Sequence, residues 1–282
     1  DVTFLLGCGD SLYFRLRRSS SSLVSVTVPS WVGSAFGQYG YTGVSGNVVL
    51  YQLNTGSNTA ITIDSIKVKS RLGQLITGYT FIVYDGESST QGESIDISSP
   101  GGYNWFFWDT IAPTGQIYDI PAQTGLGTNT VHWSPGSVHY TYNLARAVAV
   151  TSVPSFTVNL GHTTTGYEGI VLGMQRRIVA NDDTICNSTG VDTIKPINAP
   201  IGSLYTWGMP TITPSGSISG ATSQTVGTTT ITQTITNTTS SIAIATYTVT
   251  PVACGIVDSP FIARIVMLPS SSPFSLGPET TY

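Results

Sequence analysis

Residues 243–250, AIATYTVT, and residues 261–268, FIARIVML, decide the fold class of this chain. Apolar side chains recur there at every second position, namely at Tyr247, Val249, Phe261, Ala263, Ile265 and Met267. A period of two predicts β-strands that turn one face towards a core. Short runs of this kind, separated by Gly and Pro, are typical of a β-sandwich.

Charged side chains are scarce along the whole sequence. They make up 9% of it, against about 25% in ordinary soluble domains, whereas Ser and Thr account for 75 of the 282 residues. No stretch of a dozen residues has the 3.6-residue apolar period of a helix. The composition therefore predicts an all-β chain, solvated by hydroxyl groups and displayed outside a cell.

The charge pattern argues against a nucleic-acid partner, and the apolar pattern argues against a membrane-spanning segment. The net charge is −4, and the 11 basic residues are scattered apart from Arg15, Arg17 and Arg18. Without a cationic stripe along the sequence, we expect no nucleic acid as a partner. No run of 18 apolar residues exists, so no membrane span is predicted. The chain starts at Asp1, which suggests a processed chain or a segment of a longer protein.

Two domains are the natural expectation for 282 residues. Nine or more strand candidates precede a boundary near residue 181, and they predict a jelly-roll or lectin-like β-sandwich over residues 1–180. Short strands after that boundary predict an immunoglobulin-like sandwich over residues 181–270, with Trp207 in its core. Residues 271–282, rich in Ser and Pro, are expected to link it to a further module.

Three cysteines in an exported β protein suggest one disulfide and one remaining thiol. We expect Cys186 to pair with Cys254, because the two residues lie near the beginning and the end of the second domain. Such a bond would close a loop of about 70 residues and contribute roughly 4 kcal/mol. Cys8 is then expected to be free, or bonded to a segment outside this chain.

Three stretches of the second domain carry a resemblance to a known family. They are ICNSTG at 185–190, LYTWGMPTITPSGSISG at 204–220 and ATYTVTPVACG at 245–255. In this order they resemble the PKD-like immunoglobulin modules of large Bacteroidetes surface proteins. Many of those proteins are type IX-secreted adhesins, including the mobile adhesins of gliding motility. The resemblance implies a fold and a place on the bacterial cell surface, without naming a ligand.

A second resemblance concerns the first domain. Residues 61–95, ITIDSIKVKSRLGQLITGYTFIVYDGESSTQGESI, are followed by YNWFFWD at 103–109. This stretch is similar to the lectin-like domain of CshA-type bacterial adhesins. The resemblance implies that residues 1–180 are a binding head and that the second domain begins a stalk.

Five of the 11 aspartates begin a triplet of Asp, Ser or Thr, and an aliphatic residue. Such triplets resemble the O-glycosylation acceptor that Bacteroidetes use on exported proteins. The acceptor residues would be Ser11, Ser65, Thr110, Thr184 and Thr193. The alternative is that a threonine-rich β protein contains these triplets by accident. Attached sugars would solubilise a chain with few surface charges.

Asp85, Glu87 and Glu93 place three carboxylates within nine residues. Carboxylate oxygens are ligands that suit Ca²⁺, although the spacing matches no known calcium loop, and a solvated turn is the simpler interpretation. A glycosidase pair would also need a cleft and one raised pKa. The three histidines form no metal motif, and no GxSxG elbow exists. We therefore expect no catalysis and no cofactor other than calcium.

The run Tyr103-Asn-Trp-Phe-Phe-Trp108 is the densest group of aromatic side chains. Alternation along a strand would put Trp105 with Phe107 on one face and Phe106 with Trp108 on the other. One pair is expected in the core. The other pair either forms an exposed platform for sugar rings or protein partners, or is covered by a second layer. We expect burial of both faces.

Three functions fit the sequence. The first, which we favour, is a non-enzymatic adhesin segment that binds an extracellular glycan or protein surface through the first domain. The second is a structural subunit or repeat of an extracellular filament or sheath, in which neighbouring copies contact one another. The third, a polysaccharide-degrading enzyme, rests on the carboxylate group alone.

Overall fold

The computed structural model describes residues 1–5, 7–19, 23–27, 48–53, 58–85, 92–111, 118–135, 142–143, 145–162, 167–186 and 189–269. The chain divides into two compact units, Asp1–Arg176 and Arg177–Tyr282. Apart from a 3₁₀ turn at Gly7–Gly9, every helix or strand in the described ranges is a β-strand, which confirms the all-β prediction. None of these residues forms a helix long and apolar enough to cross a membrane.

The described strands of unit 1 run antiparallel in two large sheets, apart from one short separate pair. They are β1 (Val2–Leu5), β2 (Ser11–Arg18), β3 (Leu23–Thr27), β4 (Val48–Leu53), β5 (Thr59–Lys69), β6 (Leu75–Ile76), β7 (Tyr79–Asp85), β8 (Glu93–Ser98), β9 (Phe106–Ile111), β10 (Tyr118–Asp119), β11 (Ala122–Thr124), β12 (Thr130–Ser134), β13 (Tyr142–Asn143), β14 (Ala145–Thr151), β15 (Phe156–His162) and β16 (Tyr167–Arg176). The short strands β10 and β13 form a separate parallel pair.

Sheet A has the order β1-β2-β5-β15-β8-β12-β11, with β6 beside β5, and sheet B has the order β3-β4-β16-β7-β14-β9. From β5 onwards the long strands alternate between the sheets: β5, β8, β12 and β15 belong to sheet A, and β7, β9, β14 and β16 to sheet B. This alternation is the chain path of a jelly-roll sandwich.

The core of unit 1 lies between sheets A and B. Phe156 of sheet A contacts Phe81 of sheet B edge to face, with 5.1 Å between ring centroids. Trp105 packs against the same Phe156 ring at 5.6 Å. Fully buried Ile, Val and Leu side chains from both sheets surround these rings. The two sheets therefore form one closed apolar layer, as the β-sandwich prediction requires.

Unit 2 is a smaller sandwich of short strands. They are β17 (Val179–Ala180), β18 (Asp183–Ile185), β19 (Thr189–Ile194), β20 (Pro196–Ile197), β21 (Leu204–Trp207), β22 (Thr211–Thr213), β23 (Ile218–Ser219), β24 (Gln224–Thr228), β25 (Ile231–Asn237), β26 (Ala243–Ala253), β27 (Ile256–Val257) and β28 (Phe261–Met267). One sheet has the order β18-β28-β26-β21-β24, with β22 and β27 beside β26, and the facing sheet has the order β19-β25-β23. β17 and β20 pair separately.

The alternation along β26 and β28 points one face into the core of unit 2. Tyr247, Val249, Phe261, Ala263, Ile265 and Met267 are all buried, as predicted, and Trp207 is part of the same core. Ile231 and Ile235 of β25 meet them from the facing sheet. The immunoglobulin-like sandwich predicted from these strands is the fold observed.

The predicted disulfide between Cys186 and Cys254 is wrong. Cys186 is a free, exposed thiol, whereas Cys8 and Cys254 are both disulfide-bonded. The register explains the error. Cys186 follows Ile185, which lies beside Met267 and hence close to Ala243 at the start of β26. Cys254 follows Ala253 at the other end of that strand. Ala243 and Ala253 are ten residues apart, which corresponds to about 33 Å along a strand. Disulfide-bonded cysteines have Cα atoms within about 7 Å.

Candidate functional site

Strand β9 carries the aromatic run, and within the described ranges it is an edge strand of sheet B. It pairs with β14 on one side only. The pairing shifts register between Ala147 and Val148, so that Phe107 opposes Val148 and Asp109 opposes Ala147. Trp108 is therefore the extra residue of a β-bulge. Bulges change the direction of side chains and are common at sheet edges and next to binding sites.

Trp105 does not belong to this exposed strand. Its backbone NH donates to the Thr128 carbonyl at 2.8 Å, and its carbonyl accepts from the Gly127 NH at 2.8 Å. These bonds hold Trp105 one residue before β9 and bury its ring completely in the core. The prediction that Trp105 contributes to a ligand platform is therefore wrong. Strand alternation did not apply, because Trp105 lies outside the strand.

Phe106 and Phe107 are 40% and 48% exposed, so the expectation that both faces are buried is also wrong. The Phe106 ring lies 6.3 Å from the Trp108 ring at an interplanar angle of 57°. Half-buried Trp108 and Tyr84 pack against Ile82, Ala147 and Ala149 on the outer face of sheet B. We call Phe106, Phe107, Trp108 and Tyr84 the aromatic edge.

The aromatic edge has a polar border. Trp108 forms a side-chain hydrogen bond with Tyr84, and Asp109 is exposed next to them. Burial raises the pKa of Tyr84, the negative charge of Asp109 raises it further, and the Trp108 bond lowers it in part. Tyr84 therefore stays a neutral phenol at physiological pH. Flat rings bordered by hydrogen-bonding groups suit sugar rings or apolar protein side chains.

The predicted carboxylate group lies only partly within the described residues. Asp85 ends β7 and Glu93 begins β8, and both are buried. Alternation puts Asp85 on the face of Phe81 and Val83, and Glu93 on the face of Ile95 and Ile97, so both carboxylates point between the sheets. The solvated-turn interpretation is therefore wrong for these two residues. Glu87 lies outside the described residues.

Buried carboxylates at strand ends offer a substrate no accessible catalytic pair. The described residues also contain no group of three or more His, Cys, Asp or Glu side chains arranged to hold a metal ion. Calcium binding by Asp85, Glu87 and Glu93 stays a prediction.

The predicted glycosylation residues differ in accessibility. Ser65, Thr184 and Thr193 are exposed, whereas Ser11 and Thr110 are half-buried. The aspartate of the triplet often bonds the residue that follows it. Asp64 accepts from the Ser65 hydroxyl at 2.8 Å, and Asp109 and Asp183 accept from the next backbone NH at 2.7 and 2.8 Å. The triplets thus lie within strands or at strand ends, whether or not they carry a sugar.

One group of functional residues was missed in the sequence. Arg15 of β2 and Lys67 and Lys69 of β5 line a common cleft on the outer face of sheet A. These residues lie about 50 positions apart in the chain and become neighbours only through the pairing of β2 with β5. The Ile-Lys-Val-Lys spacing, with both lysines on one strand face, was the signal that could have indicated a cationic surface.

Comparisons with known proteins identify part of the chain. Residues 183–271 match the PKD-like domain family. A search of curated protein sequences finds no match.

Two solved structures show distant likeness. The chain is similar to the N-terminal domain of the Streptococcus gordonii adhesin Sgo0707, with 10% identity, a TM-score of 0.35 and coverage of 93% of this chain and 77% of that chain. It is also similar to the CupB6 tip adhesin from Pseudomonas aeruginosa, with 9% identity, a TM-score of 0.17 and coverage of 90% of this chain and 99% of that chain. TM-scores this low define neither the fold nor a ligand of this chain.

Proposed function

We propose that this chain is a non-enzymatic adhesive segment of a bacterial cell-surface protein. In this proposal unit 1 binds an extracellular glycan or protein surface, and the PKD-like unit 2 is a spacer that begins a stalk. The observation that carries it is the aromatic edge. Phe106 stands exposed beside the Trp108 ring, Phe107 is exposed on the same edge strand, and neither is part of the core cluster of the sandwich. Exposed neighbouring aromatic rings are uncommon unless they bind something.

The match of residues 183–271 to PKD-like domains supports the role of spacer. The hydroxyl-rich, charge-poor surface suits an extracellular setting, because Ser and Thr solvate a sheet without salt-dependent charges. A Bacteroidetes-type source with type IX secretion and gliding motility is the finer form of this proposal, and it rests on the sequence resemblance. Glycosylation at Thr184 and Thr193, two of the exposed triplets, belongs to the same finer proposal. Intact mass of the native protein, followed by peptide mapping, tests it.

Binding of the full chain to a glycan array and to immobilised extracellular-matrix proteins tests the adhesive role. The variant Phe106→Ala/Phe107→Ala is expected to lose binding at least about tenfold, because ring contacts are each worth about 1 kcal/mol or more at an interface. Leu75→Ala is the matched control, since Leu75 is an exposed apolar residue of sheet A, away from the aromatic edge. Equal binding by both variants, or no binding by the wild type, would contradict the proposal.

The second candidate function is a subunit of an extracellular filament or sheath. Among the described residues, β9 pairs on one side only, and an edge strand can add a strand from another copy. A head-to-tail contact of that kind would give open fibres. Electron microscopy across a concentration series distinguishes the two functions. Filaments that disappear in the Phe106→Ala/Phe107→Ala variant, without any glycan or matrix binding by the wild type, would favour the filament.

A further inference from the structure

Basic residues are concentrated on two neighbouring strands of sheet A in unit 1, whereas the aromatic edge belongs to sheet B. Six of the 11 basic residues of the chain lie on β2, on β5 or directly after β5, namely Arg15, Arg17, Arg18, Lys67, Lys69 and Arg71. The two strands are neighbours in sheet A. An acidic chain with few charges thus has one local cationic surface.

Not all of these cations are neutralised. Arg17 forms an ion pair with Asp64 at 2.9 Å, and Arg15 forms a longer one with Asp1 at 3.4 Å, with both partners largely exposed. Within the part of the chain that the structure describes, no carboxylate pairs with Lys67 or Lys69. The two ammonium groups therefore remain available to a ligand.

A cleft of about 320 Å³ lies at this surface. Its polar lining consists of Asp1, Thr3, Tyr13, Arg15, Ser65, Lys67 and Lys69, and the Asp1 carboxylate is the one that pairs with Arg15. Register explains the grouping, because Thr3, Tyr13 and Lys67 are cross-strand neighbours in one row over β1, β2 and β5. The volume is at the lower end of the range for small-ligand pockets, about 300–1,000 Å³.

A β-bulge shapes the cleft. Tyr13 pairs with Lys67 but Arg15 pairs with Asp64, so Phe14 opposes two residues, Ser65 and Ile66. Ser65 adopts a left-handed φ of 57° at this point and is exposed in the cleft. A non-glycine residue in that conformation is uncommon and is often found at functional sites. The hydroxyl of Ser65 thus borders the same space as the two lysines.

Tyr13 positions one of the charges. The Lys69 Nζ atom lies 5.2 Å from the centroid of the Tyr13 ring, which is a cation–π contact. This contact restricts a side chain that would otherwise be flexible and keeps its ammonium group at the cleft. Preorganised cations bind anions better than mobile ones, because less rotamer entropy is lost on binding.

We propose that this cleft binds an acidic saccharide, with Lys67 and Lys69 holding its carboxylate or sulfate group and the hydroxyls of Thr3 and Ser65 facing its ring. The cleft is larger than a free anion needs, and its hydroxyl lining matches sugar hydroxyls. A nucleic acid fits less well, because a phosphate backbone needs a longer row of unpaired cations, and Arg15 and Arg17 already have carboxylate partners. The inference goes beyond the proposed function, since it concerns the other sheet.

Titration calorimetry of the full chain at low salt tests this site, with Ser65 verified as unmodified by intact mass. The probes are digalacturonic acid, its neutral methyl ester, a sulfated disaccharide, inorganic sulfate and a single-stranded oligonucleotide. We expect at least one acidic disaccharide to bind at least ten times more tightly than the methyl ester and than sulfate. Comparing the two acidic disaccharides tells whether a carboxylate or a sulfate is preferred.

Variants localise the binding. Lys67→Gln/Lys69→Gln is expected to weaken binding of the acidic disaccharide at least tenfold, and Tyr13→Leu severalfold. Lys195→Gln, which removes an exposed cation from unit 2, is expected to leave it unchanged. Phe106→Ala/Phe107→Ala should also leave it unchanged, which separates this site from the aromatic edge. Equal binding of ester and acid, equal loss in Lys195→Gln, or tighter binding of sulfate or the oligonucleotide would overturn the proposal.

Discussion

The two units fill their cores with different side chains. Unit 1 fully buries Trp105, Trp133, Phe81 and Phe156, together with a layer of isoleucines. Among the described residues, unit 2 has one fully buried aromatic side chain, Tyr247, which lies with fully buried isoleucines and alanines and with buried Gln233, Asn237 and Asp192. Unit 1 is therefore stabilised chiefly by aromatic packing between its sheets, whereas unit 2 packs smaller side chains around one hydrogen-bonded tyrosine. Each core can be tested by the substitution to which it should be most sensitive.

Trp105→Ala is expected to have the largest effect, a loss of about 3–5 kcal/mol in the free energy of unfolding, because it leaves a cavity beside Phe156. Trp105→Phe should cost less, since the Nε1 atom of Trp105 has no hydrogen-bond partner among the described residues. Urea denaturation followed by circular dichroism measures both. Phe107→Ala is the control and should change stability by less than about 1 kcal/mol. A large loss in Phe107→Ala would mean that the aromatic edge is part of the core.

The cysteines give the next effect. Maleimide labelling of the unreduced chain should modify one thiol, that of Cys186. Cys254→Ser should expose a second reactive thiol and lower the free energy of unfolding by about 2–4 kcal/mol, because a disulfide is lost. Cys186→Ser should leave stability unchanged, since that side chain is exposed. Peptide mapping that finds the label on Cys8 and not on Cys186, or an equal loss of stability in both variants, would restore the pairing expected from the sequence.

Asp192 makes the stability of unit 2 depend on pH. Burial, a hydrogen bond with Asp183 and the negative charge of Asp183, in that order of size, together raise the pKa of this carboxyl to about 6. Asp in an unfolded chain titrates near pH 4. The folded state therefore holds the proton more tightly, so this stabilisation is complete below about pH 4 and is lost as the pH rises through about 6. The free energy of unfolding is expected to fall by up to about 3 kcal/mol over this pH range.

Urea titrations at several pH values between 4 and 8 check this dependence. Asp192→Asn imitates the protonated carboxyl. In this variant the free energy of unfolding should differ less between pH 4 and pH 7 than in the wild type. Asp182→Asn is the control, because Asp182 is exposed and forms only a long ion pair of 3.7 Å with Arg264. The opposite result would be a wild type that gains stability over Asp192→Asn as the pH rises from 4 to 7. That result would show that Asp192 and Asp183 are both ionised in the folded state.

The two units also differ in how much the sequence revealed. In β25 and β26 every second residue is buried, so the period of two predicted which side chains form the core. In β7 both faces are largely covered, with Ile82 buried on the outer face of the sheet, so no alternation exists to read. The bulge at Trp108 and the position of Trp105 outside β9 broke the alternation expected for the aromatic run.

Features that depend on the pairing of distant strands could not be predicted from the sequence. Lys67 and Lys69 meet Tyr13 and Arg15 through the register of β2 and β5, which strand propensity does not specify. The cysteines were assigned by their position in the chain, although Cys186 and Cys254 lie at opposite ends of β26. Both the grouping of the basic residues and the separation of the cysteines depend on the register of paired strands. A single sequence does not specify that register.

The smallest predicted effect concerns Gln233, which lies in the core of unit 2. Its Oε1 atom accepts from the backbone NH of Thr222 at 2.9 Å and from the hydroxyl of Tyr247 at 3.1 Å. Its Nε2 atom donates to the Thr232 carbonyl at 2.9 Å. Gln233→Leu keeps a similar side-chain volume but leaves the buried Tyr247 hydroxyl, and the NH and hydroxyl of Thr222, without this acceptor. We expect a loss of about 1–3 kcal/mol in the free energy of unfolding.

A double-mutant cycle with Tyr247→Phe separates hydrogen bonding from packing. Once Tyr247 has no hydroxyl, Gln233→Leu should cost less, because only the two donors of Thr222 then lose the Gln233 acceptor. Urea denaturation of the four proteins measures the coupling between the two side chains. Asn237 is not a suitable partner for the cycle, since its amide bonds the Ser241 and Met267 carbonyls instead. If the two losses simply add, the core of unit 2 resembles that of unit 1 and is held by packing alone.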